Sequence, residues 1–349
     1  MKLIPLSARQ EALLAFLRRK DPLSAMTVAE ALSVSIATIK RDMGVLVSAG
    51  YVRSTGKGRG AGYVLTKGGE LFTPIDAHAY CAEEPDKRNA YARFDGDLFA
   101  AVLDNVFATE DLAQLDKATE QYTARALGAP EIIAKKELER FIIELSWKSS
   151  RIEGNTYTLL DTERLIREGI EGAGHTHAEA VMILNHKKAF EFVYTHRDLF
   201  VETPKLAAIE EIHRLLVADL KVSGGVRAHG VGITGTPYRP LDNQFQIREA
   251  LDALRDAIEK AHNHYTAALI ALLGISYIQP FGDGNKRTAR LLANAVLLAR
   301  ACVPLSYRSV DEIAYREATL VFYETHSIVP FKEIFMAQYL FAAEQYGLR

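Results

Sequence analysis

Length, composition and charge place this chain among ordinary globular proteins and exclude an intrinsically disordered one. Its 349 residues are 48% hydrophobic and 25% charged, with a formal net charge of −2, and such a composition suits a packed core. A chain of this length can bury a large core and is expected to form two or three domains.

The sequence predicts neither a membrane segment nor a secreted, disulfide-bonded protein. The longest apolar run, residues 265–278, contains Thr, Gly and Ser and is short for a bilayer. The N-terminal apolar stretch, residues 3–6, is brief and contains Pro5, unlike a signal peptide. Cys81 and Cys302 lie far apart and lack metal-ligand spacing. We therefore expect a cytoplasmic protein that makes no membrane contact.

The first predicted elements form a basic helical module. Residues 1–70 carry 11 Lys or Arg against 5 Asp or Glu, a balance of +6, so the remainder sums to −8. Apolar residues at helical spacing predict helices over 7–19, 28–32 and 36–49, with a turn at 33–35. This is helix-turn-helix geometry, in which the later helix enters the major groove of DNA. A basic module on an acidic body is expected to meet a polyanion.

Two short strands and a basic loop follow these helices. Strands are predicted at 51–53 and 63–65, and the glycine-rich loop 54–60 joins them. Because this loop is basic and flexible, it suits contact with the DNA backbone or minor groove, as the wing of a winged helix does.

The stretch resembles the DeoR-like winged helix, notably at residues 29–35 and 39–42. The resemblance implies an α+β DNA-binding domain over residues 1–72, and a protein-interaction or dimerisation module is the alternative. The candidate DNA contacts are Ser35, Thr38, Lys40, Arg41, Arg53, Lys57 and Arg59. Helix-turn-helix proteins commonly read paired half-sites, which favours a homodimer.

From about residue 69 the composition turns acidic and helices predominate. Residues 73–145 are predicted to form a helical extension, and residues 146–345 a mostly helical core. Within the extension, helices are expected over 97–107, over 112–127, and from 131 or 136 to 147.

The most informative stretch is residues 277–290, Tyr-Ile-Gln-Pro-Phe-Gly-Asp-Gly-Asn-Lys-Arg-Thr-Ala-Arg. Gly282, Gly284 and Asn285 predict a turn that directs backbone N–H groups into one concavity. A glycine loop that leads into a helix N-terminus favours anions, because free N–H groups and the helix dipole both attract negative charge. The stretch therefore predicts a phosphate site.

Charged side chains in the same stretch support that prediction. Arg287 and Arg290 stand at i, i+3 spacing on one helix face and can donate bidentate hydrogen bonds to phosphate. Asp283 puts a carboxylate beside the pocket, as a magnesium–phosphate site requires. The alternative is a structural helix entry with a surface arginine pair. Gln279 stands where a proton acceptor would be useful, and an amide is no base.

The stretch resembles the signature loop of the Fic (Fido) family, His-Pro-Phe-x-[Asp/Glu]-Gly-Asn-[Gly/Lys]-Arg-x-x-Arg. The matching residues are Pro280, Phe281, Asp283, Gly284, Asn285, Lys286, Arg287 and Arg290. The chain departs from the pattern at Gln279, where the family has its catalytic His. The resemblance implies that ATP binds with Mg²⁺, that Asp283 holds the metal, and that the phosphate contacts are Gly282, Gly284, Asn285, Lys286, Arg287 and Arg290.

Lys286 distinguishes branches of that family. Adenylyltransferases usually carry Gly at this position, whereas Doc-type toxins carry Lys. The upstream part of the chain resembles the adenylyltransferase branch, so Lys286 is expected to add one positive charge near the phosphates.

An upstream stretch, residues 149–155, resembles the inhibitory-helix motif [Ser/Thr]-x-x-x-Glu-[Gly/Asn], with Ser149, Glu153 and Gly154 in register. The resemblance implies that Glu153 reaches Arg290 and occupies the terminal-phosphate position, because a carboxylate and a phosphate compete for one guanidinium. The alternative is a helix C-terminus with an ordinary glycine cap.

Residues 225–241 predict a short β-hairpin, because glycines and prolines punctuate alternating apolar residues. In Fic proteins such a flap lies over the active site and pairs with an extended target segment. The flap positions would be Gly232, Ile233, Thr234 and Gly235. A surface hairpin without a role is the alternative. The predicted fold class is thus mostly α, a winged helix followed by an all-α Fic-type core with this hairpin flap.

These features predict a nucleotide-binding protein built on an AMP-transferase scaffold. Transfer of AMP to a hydroxyl of an unknown target protein is expected to be weak or absent, because Gln279 cannot accept a proton. One alternative is a nucleotide-gated transcription regulator, which needs binding but no base. Another is phosphodiester hydrolysis that removes AMP from a modified protein, with Glu153 orienting a water.

Overall fold

The computed structural model of the chain describes residues 3–18, 22–56, 61–101 and 106–348. The fold is mostly helical, with an N-terminal winged helix, as the sequence predicts. The winged helix consists of α1 (Ala8–Leu17), α2 (Ala25–Ala31), α3 (Ile36–Ala49), β1 (Val52–Thr55) and β2 (Gly62–Leu65). The two strands pair antiparallel, with Val52 opposite Leu65.

Local capping explains where the helices of the winged helix begin and end. Ser7, Ser24 and Ser35 each precede a helix, and each side-chain oxygen accepts a hydrogen bond from the third amide of that helix. Gly50 ends α3 in the left-handed conformation, with φ of +86°. The predicted helix over 36–49 is therefore confirmed in full, whereas α2 begins three residues earlier than predicted.

Two short helices and an extended linker connect the winged helix to the body. These helices are α4 (Lys67–Phe72) and α5 (Ala77–Ala82). The linker then runs along the body, where Tyr91 donates its backbone N–H to the Glu324 carbonyl at 2.7 Å. It ends at α6 (Leu98–Ala101). The predicted helix over 97–107 is too long, because Val106 and Phe107 are not helical, and residues 102–105 lie outside the described part of the chain.

The body is a helical bundle. Its helices are α7 (Thr109–Gly128), α8 (Glu131–Ile152), α9 (Leu159–Glu168), α10 (His177–Thr195), α11 (Leu206–Val217), α12 (Gln244–Lys260), α13 (His264–Ile278), α14 (Asn285–Ala299), α15 (Glu312–Thr325) and α16 (Val329–Gln345). The predicted boundary between residues 145 and 146 falls within α8, so the division of the body into an extension and a core stays a prediction. None of the described helices is both long and apolar enough to cross a membrane.

The antiparallel pair α13 and α14 forms the centre of the bundle. Residues 265–278 of α13 are all buried, and α12 and α14 both pack against this helix. A Cβ at Gly274 would stand 2.2 Å from Leu254 Cδ1, so glycine allows α12 to approach the backbone closely. Helices α10 and α11 pack against α14, and the end of α8 reaches it as well. The turn between α13 and α14 is thereby held on a rigid support.

The predicted β-hairpin over residues 225–241 is wrong. All of these residues are described, and they form an irregular loop in which a single parallel bridge joins Arg239 to Arg93 of the linker. Pro237 and Pro240 lack N–H donors, and Gly235 has a φ of +82°, so a regular ladder is disfavoured. The backbone N–H of Arg239 instead bonds the Ala92 carbonyl at 3.0 Å. We call residues 225–241 the flap loop.

Candidate functional site

A cavity of about 290 Å³ opens beside the N-terminus of α14. Four segments line it, namely Glu153 after α8, Met182 of α10, the flap loop over 231–234, and the turn that leads into α14 through Gln279 and residues 282–287. The structure thus brings together residues of the predicted phosphate-loop, inhibitory and flap sets, which the sequence places far apart.

Two local interactions set the conformation of the phosphate loop. The side chain of Asn285 accepts a hydrogen bond from the Phe281 N–H and donates one to the Phe281 carbonyl, both at 2.9 Å. Asn285 therefore contributes its backbone to the cavity, while its amide braces the turn. Gly284 has a φ of +79°, and a Cβ there would stand 3.1 Å from Val217 Cγ1. No described side chain caps α14, so its first amides stay available to an anion.

Gln279 ends α13 in the left-handed conformation, with φ of +51°. Its side-chain amide donates to the Ser276 carbonyl at 2.6 Å and to the Tyr323 hydroxyl at 3.4 Å. Its backbone carbonyl accepts a hydrogen bond from Arg227 Nε at 2.7 Å. The amide nitrogen is thus committed to the protein, and the side chain has no basic atom to offer a substrate.

Arg227 holds the phosphate loop to the flap loop. Its guanidinium is buried and donates to the carbonyls of Gln279, His229 and Leu241, while its backbone N–H bonds the Pro280 carbonyl at 3.0 Å. Burial lowers the pKa of this side chain. The sequence analysis predicted Arg227 as part of a hairpin and gave it no role in the site. The partners of its guanidinium are main-chain carbonyls, which no sequence motif reveals.

His213 supports the loop from α11 and was not predicted from sequence. Its ring stacks on Phe281 with centroids 3.8 Å apart, and its Nε2 donates to the Asp283 carbonyl at 2.9 Å. Burial lowers the pKa of His213 to about 4, so the ring is neutral at physiological pH. A lone histidine on an amphipathic helix carries no sequence signal for this role.

The two predicted phosphate-binding arginines occupy different depths. Arg287 lines the cavity and lies 3.4 Å from both the Leu216 carbonyl and the Asp283 carboxylate. Arg290 is fully buried behind it, where Nε donates to Ser149 Oγ at 2.9 Å and Nη2 donates to the Ser149 carbonyl at 2.8 Å. Ser149 thus orients the guanidinium of Arg290 toward Glu153.

Glu153 stands between the cavity and Arg290. It follows α8 as its C-cap, and Gly154 continues the turn with φ of +97°. Its Oε1 lies 2.9 Å from Arg290 Nη2, and its Oε2 lies 3.7 Å from Lys286 Nζ. Burial favours the protonated acid, but the charges of Arg290 and Lys286 outweigh burial and lower the pKa of Glu153. Glu153 is therefore an anion that neutralises the cations of the site.

Asp283 is the predicted metal ligand, and its side chain is 69% exposed. Among the described residues, no group of three His, Cys, Asp or Glu side chains could hold a metal ion. The donor set therefore does not suit a metal site made by protein alone. It does suit Mg²⁺, which is commonly held by one or two carboxylates together with substrate phosphates and waters.

The flap loop covers one side of the cavity although it is not a hairpin. Gly232, Ile233 and Thr234 line the cavity. Gly235 does not line it, and its carbonyl accepts a hydrogen bond from Arg88 of the linker at 3.1 Å.

The candidate DNA contacts divide into three groups. Ser35 Oγ accepts the Thr38 N–H at 3.2 Å, and the two hydroxyls lie 2.9 Å apart, so capping of α3 accounts for both residues. Lys40, Arg41 and Arg53 are exposed. The remaining two, Lys57 and Arg59, lie outside the described residues.

Fold and site together define a two-part protein, in which a winged helix precedes a helical body with an anion-accepting loop. Residues 203–297 match the model of the Fic/DOC family, and residues 9–64 match an HTH domain. The chain thus carries a Fic/DOC domain behind an N-terminal helix-turn-helix domain.

Curated relatives and solved structures agree with this assignment. The protein adenylyltransferase Fic of Nematostella vectensis is 28% identical over 211 residues, which cover 59% of this chain and 49% of that protein. The protein adenylyltransferase fic-1 of Caenorhabditis elegans is 28% identical over 163 residues, which cover 44% of this chain and 31% of that protein. The chain therefore spans half or less of these relatives.

The fold is shared with solved Fic structures. A Fic domain containing signaling protein from Bacteroides thetaiotaomicron has a TM-score of 0.56 at 19% identity, covering 66% of this chain and 94% of that one. A Fic family protein from Desulfovibrio desulfuricans has a TM-score of 0.56 at 23% identity, covering 68% and 72%.

Proposed function

We propose that this protein binds a nucleoside triphosphate, ATP with Mg²⁺, beside α14, and that Glu153 controls access to the terminal-phosphate position. The observation that carries the proposal is the contact of the Glu153 carboxylate with the buried Arg290, at the edge of a cavity lined by a glycine loop. A carboxylate that satisfies a guanidinium must leave before a phosphate can take its place.

AMP transfer by this site is weak or absent. A general base is typically worth about 10²–10⁴ in rate, and the Gln279 amide donates to the Ser276 carbonyl instead of accepting a proton. The curated relatives are named as protein adenylyltransferases. Because the chain spans at most half of these relatives, the existence of an acceptor protein for this chain is also a proposal.

Calorimetric titration with ATP and Mg²⁺ tests the site. The Glu153→Gly variant should bind about tenfold more tightly than wild type, because it removes a charge-assisted competitor. Arg290→Ala should weaken binding by a similar factor in the Glu153→Gly background. Absence of binding by every variant would contradict the proposal.

Coupling to DNA through the winged helix is the second part of the proposal. Glu70 of α4 lies 3.3 Å from His326 Nδ1, and His326 Nε2 lies 3.3 Å from the Tyr277 hydroxyl, two residues before Gln279. This chain of contacts, from α4 behind the winged helix to the end of α13 that leads into the phosphate loop, favours a nucleotide-gated regulator over an unconnected pair of domains. A regulator of this kind needs only different nucleotide affinities in two states, and dimerisation would suit paired DNA half-sites.

Removal of AMP by hydrolysis is less well supported by this geometry. It would require Glu153 to orient a water, whereas the carboxylate lies within ion-pair distance of both Arg290 and Lys286.

A further inference from the structure

Two cations, Arg290 and Lys286, hold Glu153. Lys286 differs from Arg290 because it also lines the cavity. Lys286 Nζ lies 3.7 Å from Glu153 Oε2, whereas Arg290 Nη2 lies 2.9 Å from Oε1. Lys286 also lines the cavity itself, and its side chain is 29% exposed. The flexible lysine can therefore reach both the carboxylate and a ligand in the cavity, unlike the fully buried Arg290.

The start of α14 has an unusual charge distribution that requires an anion. Lys286, Arg287 and Arg290 bring three cations to the positive end of the helix dipole, and the first turn contains no acidic residue. Asp283 precedes the helix, but its carboxylate is mostly exposed and lies 3.4 Å from Arg287. The described anion that lies within 4 Å of both Lys286 and Arg290 is Glu153. When a phosphate replaces Glu153, the phosphate becomes the anion that balances these cations.

We infer that Lys286 acts on nucleotide binding in two opposite ways, an inference that rests on the proposed function. While Glu153 is in place, Lys286 helps to hold the carboxylate over Arg290 and so disfavours the nucleotide. Once Glu153 has moved away, Lys286 contacts a phosphate and favours the nucleotide. A lysine that merely added charge to the pocket would strengthen binding in both situations.

A double-mutant cycle separates the two effects. Calorimetry with ATP and Mg²⁺ would compare wild type, Lys286→Met, Glu153→Gly and the double variant, since methionine keeps the apolar stem and removes the charge. In the Glu153→Gly background, Lys286→Met should raise the Kd about tenfold, because a charge-assisted phosphate contact is lost. In the wild-type background the same change should alter the Kd by less than about threefold, because the loss is offset by a weaker hold on Glu153.

Two further variants serve as controls. Lys286→Arg keeps the charge, so in the Glu153→Gly background it should retain ATP binding better than Lys286→Met does. Lys188→Met removes one exposed charge from α10 and should change the Kd in neither background. Thermal unfolding of each variant checks that the fold is retained.

The outcomes distinguish this inference from the proposed function. Equal weakening by Lys286→Met in both backgrounds, or no weakening in the Glu153→Gly background, would overturn the double role while leaving the nucleotide site in place. No ATP binding by any variant, Glu153→Gly included, would overturn the site and the role of Lys286 together.

Discussion

At the scale of single residues, two side chains decide what the cavity can do. Gln279, which the sequence resemblance aligns with the family's catalytic histidine, donates its amide to a backbone carbonyl. Glu153 forms an ion pair with Arg290, which in the proposed function would otherwise bind a phosphate. In the proposed function the loop binds a nucleotide, while the predicted reactive position holds a side chain that cannot accept a proton.

Restoring the base should restore transfer. Gln279→His combined with Glu153→Gly should label protein from radiolabelled ATP about 10²-fold or more faster than Glu153→Gly alone. Histidine tolerates the left-handed backbone at this position better than most residues do. Gln279→Ala with Glu153→Gly is the matched control and should stay inactive. Equal labelling by the unmodified chain would show that Gln279 does not limit the reaction.

The pKa of Glu153 predicts how stability depends on pH. Arg290 and Lys286 lower the pKa below its ordinary value of 4.5 despite burial, so the ion pair stabilises the fold above that value and is lost as pH falls through the folded-state pKa. Glu153→Gln should lower the free energy of unfolding by about 2 kcal/mol at pH 7. Denaturant unfolding between pH 7 and pH 3 should show this difference shrinking below pH 4.5. A constant difference would contradict the pairing.

At the scale of elements, the site depends on how the flap loop is attached to the turn between α13 and α14. Arg227 makes this attachment through its Nε, which donates to the Gln279 carbonyl, and its backbone N–H, which donates to the Pro280 carbonyl, while its other guanidinium donors bind the His229 and Leu241 carbonyls within the flap loop. The extended linker holds the other side of the flap loop through Arg88 and the bridge at Arg239. The loop is therefore positioned both by its neighbours and by the hydrogen bonds of Arg227 within it.

Arg227→Lys tests this attachment. A lysine cannot reproduce the fork of guanidinium donors, so at least one buried carbonyl should lose its partner. We expect a loss of about 2 kcal/mol in the free energy of unfolding and weaker ATP binding in the Glu153→Gly background. Arg239→Lys, an exposed change in the same loop, is the matched control for both measurements. If the two variants behave alike, Arg227 does not position the loop.

At the scale of the whole molecule, α4 and the linker, which follow the winged helix, are attached to the body at a point close to the phosphate loop. Tyr91 stacks on His326 with ring centroids 4.1 Å apart, and its hydroxyl donates to Glu70 at 2.8 Å. Burial favours the protonated acid, but His326, Tyr91 and Lys67 together lower the pKa of Glu70. A rearrangement of the winged helix that moved α4 would therefore disturb contacts that reach Tyr277.

DNA binding is expected to depend on the exposed cations of α3. Replacing Lys40 and Arg41 together by alanine should weaken binding to mixed-sequence duplex DNA and reduce the slope of log K against log salt by about 2. Fluorescence anisotropy over a range of salt concentrations measures both. Replacing Lys188 and Lys205 of the body provides a control of equal charge. An unchanged slope for the α3 variant would favour the alternative of a protein-interaction module.

The sequence by itself determined the features that depend on neighbours within a few residues. The helix over 36–49 follows from Ser35 and Gly50, and the anion-accepting turn follows from Gly284 and Asn285, because capping and backbone dihedral angles are local properties. The eight residues of the loop that match the Fic pattern at fixed spacing also sufficed to indicate the family.

Only the tertiary structure decided which distant groups meet. Ser149 contacts Arg290 across 141 positions of the chain, and Lys286 shares Glu153 with that arginine. The flap loop remains irregular because the linker, not the loop itself, supplies its backbone partner. Such contacts arise from the packing of whole helices and from main-chain acceptors that every residue carries, so residue types at a fixed spacing cannot reveal them.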